Sequence, residues 1–197
     1  MTRLPERALP TSERTAARLR IIEAAIGCVA RDGAAEASMA AIAAAAGVSK
    51  ALLHYHYSDR GRLLTEVVVQ LGERLAARER AALDGVDGRR AVDALWRWVD
   101  GELARGELRA LLELSLVRNP LVHAAATRVA HARRAEAGRT TDALLTRLGL
   151  TSRVPSPILG EASVTFLDGL ALRGLTAATD ARVAFDVFWL AMLGVGE

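Results

Sequence analysis

The sequence predicts an all-α protein, with a small three-helix unit at the N-terminus and a larger helical unit after it. Only 5 prolines and 4% aromatic residues occur among 197 residues, whereas alanine, leucine, arginine and glutamate, which favour helices, are abundant. Apolar residues recur three or four positions apart along most of the chain, and no alternating strand pattern is present. A chain of this length can bury a substantial core.

The first helix is expected to run from Ser12 to Asp32. Residues 1–11 before it hold two prolines and mixed charges without any period, which indicates a mobile arm. Leu19, Ile22 and Val29 share one face of the helix by their spacing. Gly33 is expected to end it as a C-cap.

Two short helices joined by a glycine turn follow at residues 38–57. Ser38 is expected to cap the first helix, Gly47 to end it, and Ser49 to cap the second. The spacing directs Leu53 and Tyr57 inward. A helix, a tight turn and a second helix within about twenty residues are the pattern of a helix-turn-helix.

The rest of the chain is expected to form six further helices. Ser58-Asp59 resembles a cap for a long helix that reaches about Ala82 and links the two units, and the turn residues of 84–88 predict a loop. Helices are then expected at 89–104, 106–117, 120–148, 157–178 and 180–194. The predicted domains are the arm at 1–11, the helix-turn-helix domain at 12–58 and a helical domain at 59–197.

The second short helix has the features of a recognition helix in the DNA major groove, where its start and its open side meet bases and phosphates. Residues 1–65 carry nine Lys/Arg against six Asp/Glu and residues 66–197 carry 17 against 17, so the net charge of +3 belongs to the N-terminal third. Phosphate contacts require such an excess. Lys50 is the only lysine in the chain, and its position favours a functional point charge over chance. The candidate DNA-contacting residues are Ser38, Met39, Ser49, Lys50, Ala51, Leu52, His54, Tyr55 and Arg60.

A family resemblance rests on Ile21-Ile22-Glu23-Ala24-Ala25, Gly33, Ser38-Met39, Ile42-Ala43, Ala46-Gly47-Val48-Ser49-Lys50, Leu53-His54-Tyr55-His56-Tyr57 and Leu63-Leu64. With these residues, the chain resembles the DNA-binding domain of the TetR family of bacterial transcriptional regulators over roughly residues 14–67. It departs at Ala51, where that family often has glycine, at His54, where tyrosine is usual, and at Arg60-Gly61, where lysine and an acidic residue are common. The resemblance implies a C-terminal helical domain for ligand binding and dimerisation.

The last two expected helices carry more apolar positions than one buried stripe requires, which indicates a partner surface. In a TetR-like protein these helices form a four-helix dimer interface, and the segment from Phe166 to Leu170 looks like the corresponding stretch. An alternative is that the rest of a monomer covers them. The candidate interface residues are Phe166, Leu170, Leu175, Val187 and Phe188.

A ligand pocket in the C-terminal domain is expected to combine apolar walls with a few polar anchors. Trp96 and Trp98 point to different sides of their helix, so one can face a cavity while the other packs, with plain core packing as an equal alternative. His123 has the bland alternative of an ordinary surface or core histidine. The candidate pocket residues are Trp96, Asp100, Glu113, Arg118, His123 and Ser163.

Several other functions are not expected. Cys28 is the only cysteine, which excludes an internal disulfide and a thiolate metal site. His54 and His56 are two residues apart and turn to different sides of a helix, so no metal site is expected there. No glycine-rich phosphate loop, nucleophile elbow or His-Glu-x-x-His motif is present, so neither catalysis nor a cofactor is expected. The lack of a membrane span or signal-peptide core predicts a cytoplasmic protein without membrane contact.

The sequence therefore favours a DNA-binding transcriptional regulator. The expected form is a repressor that binds double-stranded DNA at a palindromic operator as a homodimer, and that a small-molecule effector releases. One alternative is a DNA-binding regulator controlled by a protein partner, which would have no enclosed apolar cavity. Another is a helical enzyme or adaptor with a fortuitous N-terminal motif, which would lack salt-dependent binding to duplex DNA.

Overall fold

The computed structural model describes residues 11–173 and 178–196, and these residues form nine α-helices. In chain order they are α1 (Thr11–Asp32), α2 (Met39–Ala45), α3 (Lys50–His56), α4 (Arg60–Leu83), α5 (Gly88–Arg105), α6 (Glu107–Ser115), α7 (Pro120–Arg147), α8 (Ser156–Arg173) and α9 (Ala178–Leu193). The expected all-α fold, with an N-terminal helix-turn-helix unit and a C-terminal helical unit, is confirmed.

Local capping explains the boundaries of the helix-turn-helix. The hydroxyl of Ser38 accepts a hydrogen bond from the backbone nitrogen of Ala41, and that of Ser49 accepts one from Leu52, at 3.2 and 3.1 Å. Each serine therefore satisfies a backbone donor that the first helical turn leaves unpaired. Gly47 takes a φ of 63° between the two helices, a left-handed conformation that glycine adopts without steric cost.

The long helix α4 belongs to both units of the fold. Its first half packs Leu63, Leu64 and Val67 against α1, and all three are fully buried. Its second half faces α5 and α7. Because one continuous helix serves both cores, the orientation of the N-terminal unit is tied to the packing of the C-terminal helices.

Helices α7 and α8 pack with their backbones unusually close together. A methyl group at Gly160 would overlap the carbonyl oxygen of Arg134, and one at Gly138 would overlap that of Ser156. The buried guanidinium of Arg133 adds an ion pair with Asp168 across the same interface, at 2.7 Å. Glycine is therefore required on both helices for this contact to form.

The differences from the expected elements are small. Helix α8 is described as far as Arg173, and the expected continuation to residue 178 falls partly outside the described residues. Helix α6 ends at Ser115, two residues before the expected end. An isolated antiparallel bridge joins Ser152 to Gly196, next to the last helix. The expected arm lies outside the described residues except for Thr11, which begins α1. Within the described ranges, no helix combines the length and apolar character that crossing a bilayer requires.

Candidate nucleic-acid interface and interior cavity

Helix α3 is fixed to the N-terminal unit through its inner face. Leu53 is fully buried and Tyr57 is 4% exposed, as their spacing predicted. The Tyr57 hydroxyl donates to the Glu66 carboxylate at 2.9 Å, and Arg18 donates to the same carboxylate at 2.7 Å. Burial raises the pKa of Tyr57 to about 12, so its hydroxyl stays protonated and keeps donating. These contacts hold α3 between α1 and α4.

The outer face of α3 presents a compact set of side chains to solvent. Lys50, Ala51, His54 and Tyr55 are exposed, with Tyr55 66% exposed, and Leu52 is half-buried. Arg14 of α1 donates to the Tyr55 hydroxyl at 3.5 Å, so a second cation stands beside this face. A cation, an imidazole and a phenol on the open side of a short rigid helix are suited to base edges and phosphates.

The candidate residues of α2 divide between structural and surface positions. Ser38 and Ser49 are exposed and act as N-caps, so their hydroxyls are already engaged with the backbone. Met39 is half-buried and packs against the core of the N-terminal unit. Capping and DNA contact are compatible at such positions, because helix N-termini also bind phosphate.

Arg60 has a structural role that the sequence did not predict. Its guanidinium donates to the carbonyl oxygens of Ala37, at 2.9 Å, and of Ala34. Both carbonyls belong to the segment between α1 and α2. The arginine therefore ties the start of α4 to the helix-turn-helix, and its contact with DNA stays a prediction.

His56 stands at the end of α3, beside the Tyr57 cluster. Its Nε2 atom is buried and has no hydrogen-bond partner in the described part of the chain. Burial and the positive charges of Arg18 and Arg14 lower the pKa of His56. The imidazole is therefore neutral at physiological pH and acts as packing rather than as a cation toward DNA.

The N-terminal unit is joined to the C-terminal helices by contacts between α6 and the end of α1. The Glu113 carboxylate accepts a hydrogen bond from the backbone nitrogen of Ala34 at 2.9 Å, and Arg109 donates to the carbonyl oxygen of Ala30 at 2.6 Å. Glu113 was a candidate pocket residue. The structure places it at this junction instead, because the face of α6 that carries it meets α1.

A small, partly open cavity of about 20 Å³ lies between α4, α5, α7, α8 and α9. Most of its lining is aromatic or aliphatic, and the polar side chains are one carboxyl and three hydroxyls. The lining residues are Glu79, Leu95, Trp98, Val99, Ala137, Thr140, Thr141, Ser163, Phe166, Leu167, Phe185, Phe188 and Trp189.

Only Ser163 of the six candidate pocket residues lines this cavity. Asp100, Arg118 and His123 are exposed, because they fall on the solvent faces of α5, the loop after α6, and α7. Trp96 is half-buried and packs on Phe185 with ring centroids 5.2 Å apart, while Trp98 takes the cavity side. The structure therefore does not bring these six residues together at this cavity, and the sequence analysis did not single out Glu79 or the aromatic residues of α9 that line it.

Helices α8 and α9 leave apolar side chains in solvent. Ile158, Leu172, Val183, Val187 and Leu190 are 56–69% exposed. Of the candidate interface residues, Val187 lies on this surface, whereas Phe166 and Phe188 are half-buried and stack on each other with centroids 4.3 Å apart. Leu170 is 5% exposed and is buried in the subunit's own core, not on this surface. Leu175 lies outside the described residues.

This fold and the exposed face of α3 define a helix-turn-helix DNA-binding protein. Residues 21–67 match the model of the bacterial regulatory proteins of the tetR family. This N-terminal domain is therefore a DNA-binding domain of the TetR type. No curated protein sequence is significantly similar to it.

Solved structures share the architecture over nearly the whole chain. A Rhodococcus sp. protein assigned to the TetR family is 26% identical, with 92% of this chain and 100% of that chain covered and a TM-score of 0.69. A TetR-family protein from Mesorhizobium loti MAFF303099 is 18% identical over 93% and 98% of the two chains, with a TM-score of 0.71. A transcriptional regulator from Saccharomonospora viridis in complex with choline is 23% identical over 88% and 95%, with a TM-score of 0.72.

Proposed function

We propose that this protein is a repressor that binds a palindromic operator as a homodimer and is released by a small molecule. The observation that carries the DNA-binding half of the proposal is the outer face of α3, where Lys50, His54 and Tyr55 stand free of the core while Leu53 and Tyr57 anchor the helix. A rigid helix with exposed polar side chains can enter the major groove without rearrangement.

The dimer is supported by the exposed apolar surface of α8 and α9. Val183, Val187 and Leu190 recur along one side of α9, each more than half exposed. A monomer in water would leave this contiguous apolar surface uncovered, which is costly. Two-fold pairing would bury it and would present two recognition helices about 34 Å apart, one turn of DNA.

Small-molecule control is supported by the interior cavity and by the junction of α6 with α1. The cavity favours a small ligand over a protein partner, because its largely apolar lining lies between five helices and not on an outer face. The choline complex of the S. viridis relative is consistent with a ligand site in this fold. A ligand that shifts the C-terminal helices would act on the N-terminal unit through Glu113 and Arg109, which bond to the end of α1.

The test is selection of bound duplexes from genomic DNA of the source organism, followed by titration of the recovered site at several salt concentrations. We expect a palindromic site whose affinity falls steeply with salt and exceeds nonspecific affinity by at least a thousandfold. Candidate ligands are then tested for release of the complex. Binding with no sequence preference at any salt concentration would contradict the proposal.

A further inference from the structure

The interior cavity contains a carboxyl group at a position where the helix pattern calls for leucine. Along α4, Leu71, Leu75 and Leu83 are buried at intervals of four residues, and Glu79 occupies the same stripe with 7% exposure. Burying a carboxyl in an apolar stripe costs free energy unless a partner compensates it. A leucine at position 79 would stabilise the folded protein more than the glutamate does. Glu79 is therefore expected to have a functional role.

The partners that the chain provides for Glu79 are incomplete. Thr140 of α7 donates one hydrogen bond to its Oε1 atom at 2.8 Å. Arg133 is committed to Asp168, and Arg80 reaches toward Glu136, so neither forms an ion pair with Glu79 within the described ranges. Burial raises the pKa of Glu79, the nearby Glu136 adds to that effect, and the charges of Arg133 and Arg80 oppose it. The group is a buried acid without a counter-ion.

Aromatic rings form much of the remaining cavity wall. Trp98, Phe166, Phe185, Phe188 and Trp189 all line the space that Glu79 faces. The face of an aromatic ring attracts a cation, most strongly when water is excluded. A cation–π contact already exists next to this cluster, since the guanidinium of Arg182 lies 5.5 Å from the ring centroid of the neighbouring Trp96.

We infer that the cavity widens to bind a lipophilic organic cation, with its charged nitrogen between the Glu79 carboxylate and the aromatic rings. The inference rests on the proposed function of the cavity as an effector site and names the chemical class of the effector. An anionic ligand would meet the Glu79 carboxylate unfavourably, and a neutral apolar ligand would leave that carboxyl without a counter-ion. A quaternary ammonium ion with an apolar group satisfies both parts of the lining.

Benzyltrimethylammonium tests this inference, with neopentylbenzene as the uncharged molecule of the same shape. Binding is followed by isothermal calorimetry and by the tryptophan fluorescence of the wall residues Trp98 and Trp189. We expect the wild-type protein to bind the cation at least tenfold more tightly than the uncharged analogue. Equal affinity for the two, or no binding of either, would overturn the inference.

Two variants locate the charge selectivity. In Glu79→Gln the cation affinity should fall at least tenfold, while the affinity for neopentylbenzene changes less than threefold. Glu136→Gln is the matched control, because it removes a neighbouring carboxylate that does not line the cavity, and both affinities should stay within threefold. If circular dichroism shows that Glu79→Gln is unfolded, Phe188→Leu replaces it and should lower only the cation affinity, about fivefold. Unchanged cation affinity in the folded variant would overturn the inference.

Release of DNA is measured separately from binding. If benzyltrimethylammonium binds with the expected selectivity and the DNA complex persists, the inferred ligand class is supported and the proposed control of DNA binding by a small molecule is contradicted. If uncharged or anionic compounds release the DNA while the cation does not bind, small-molecule control stands and the ligand class is wrong. The two proposals therefore fail on different measurements.

Discussion

The Glu113 carboxylate on α6 accepts a hydrogen bond from the backbone nitrogen of Ala34, 2.9 Å away across the junction of the two units. Ala34 directly follows Gly33, which ends α1 with a φ of 89°. The carboxylate thus satisfies a donor at a turn that has no helical partner. It also makes the position of the recognition unit sensitive to movement of α6.

Replacing Glu113 should loosen this junction. We expect Glu113→Ala to lower the free energy of unfolding by about 1 kcal/mol, because the Ala34 donor loses a charged acceptor. Urea denaturation measures this change. Glu113→Gln keeps an acceptor oxygen and should lose less than half as much. A larger loss in the glutamine variant than in the alanine variant would contradict the role of the hydrogen bond.

Arg60 should prove to be a stability residue. Arg60→Ala leaves the carbonyl oxygens of Ala34 and Ala37 without their donor, so we expect a loss of about 1–3 kcal/mol in the free energy of unfolding. Arg62→Ala is the control, because its exposed side chain forms an ion pair with Asp59 on the surface and its loss should cost under about 1 kcal/mol. If the two variants are equally stable in thermal unfolding, the structural role assigned to Arg60 is contradicted.

Lys50 should affect DNA binding without affecting folding. We expect Lys50→Ala to weaken specific binding by about 1–3 kcal/mol and to relax the preference at one base pair in each half-site. Stability should not fall, because the exposed cation at a helix N-terminus opposes the helix dipole. Fluorescence anisotropy with operator variants measures the effect. Arg128→Ala removes one charge from an exposed position on α7 and should leave specificity unchanged.

Val187 tests the dimer surface. A glutamate at Val187 should dissociate the dimer, because burying each valine-sized side chain contributes about 1.5–3 kcal/mol and a charge cannot be buried there. Sedimentation velocity and circular dichroism should show a folded monomer whose operator affinity approaches nonspecific levels. Leu116→Glu, at an even more exposed apolar position after α6, should remain dimeric. A wild-type monomer at micromolar concentration with full affinity for a palindrome would refute the dimer.

Glu79 should make the stability of the free protein depend on pH. Burial raises its pKa above the ordinary value of 4.5, so its unfavourable charging in the folded state begins to lower stability as pH rises through and above that value. Glu79→Gln should remove this dependence and raise the free energy of unfolding at pH 7. Urea denaturation of both proteins at pH 4.5 and pH 7 gives the comparison. A stabilising difference that is larger at pH 4.5 would reverse the assigned direction.

The helix boundaries could be predicted because capping is local. Ser38, Ser49 and Asp59 each bond to a backbone nitrogen three residues on, and these bonds depend on residues adjacent in the sequence. The exposed side chains of α3 could also be predicted, because the helical spacing fixes the exposed positions once Leu53 is assigned to the core. Spacing also placed Ile22 and Val29 on the buried face of α1, but Leu19, which was expected beside them, is 59% exposed.

The cavity could not be predicted because it depends on which faces of five helices meet. Helices α7 and α8 are buried on more than one side, so the pattern of their apolar residues does not identify the face that lines the cavity. Leu170 and Val187 look alike in sequence, yet one is buried and the other is 62% exposed. Glu79 was detectable in principle, since it occupies a leucine position in the four-residue repeat of α4, but an isolated glutamate in a charged helix gave little reason to examine it.

The close approach of α7 and α8 at Gly138 and Gly160 has a mechanical consequence. Two helices whose backbones touch cannot slide or separate without losing that fit, so they act as a single rigid unit. This unit forms two walls of the cavity, so the cavity can widen only by movement of its other walls. Helix α9 is one of those walls and also carries Val187 on its outer side. Occupancy of the interior would therefore be transmitted outward as a displacement of the surface through which two subunits would meet.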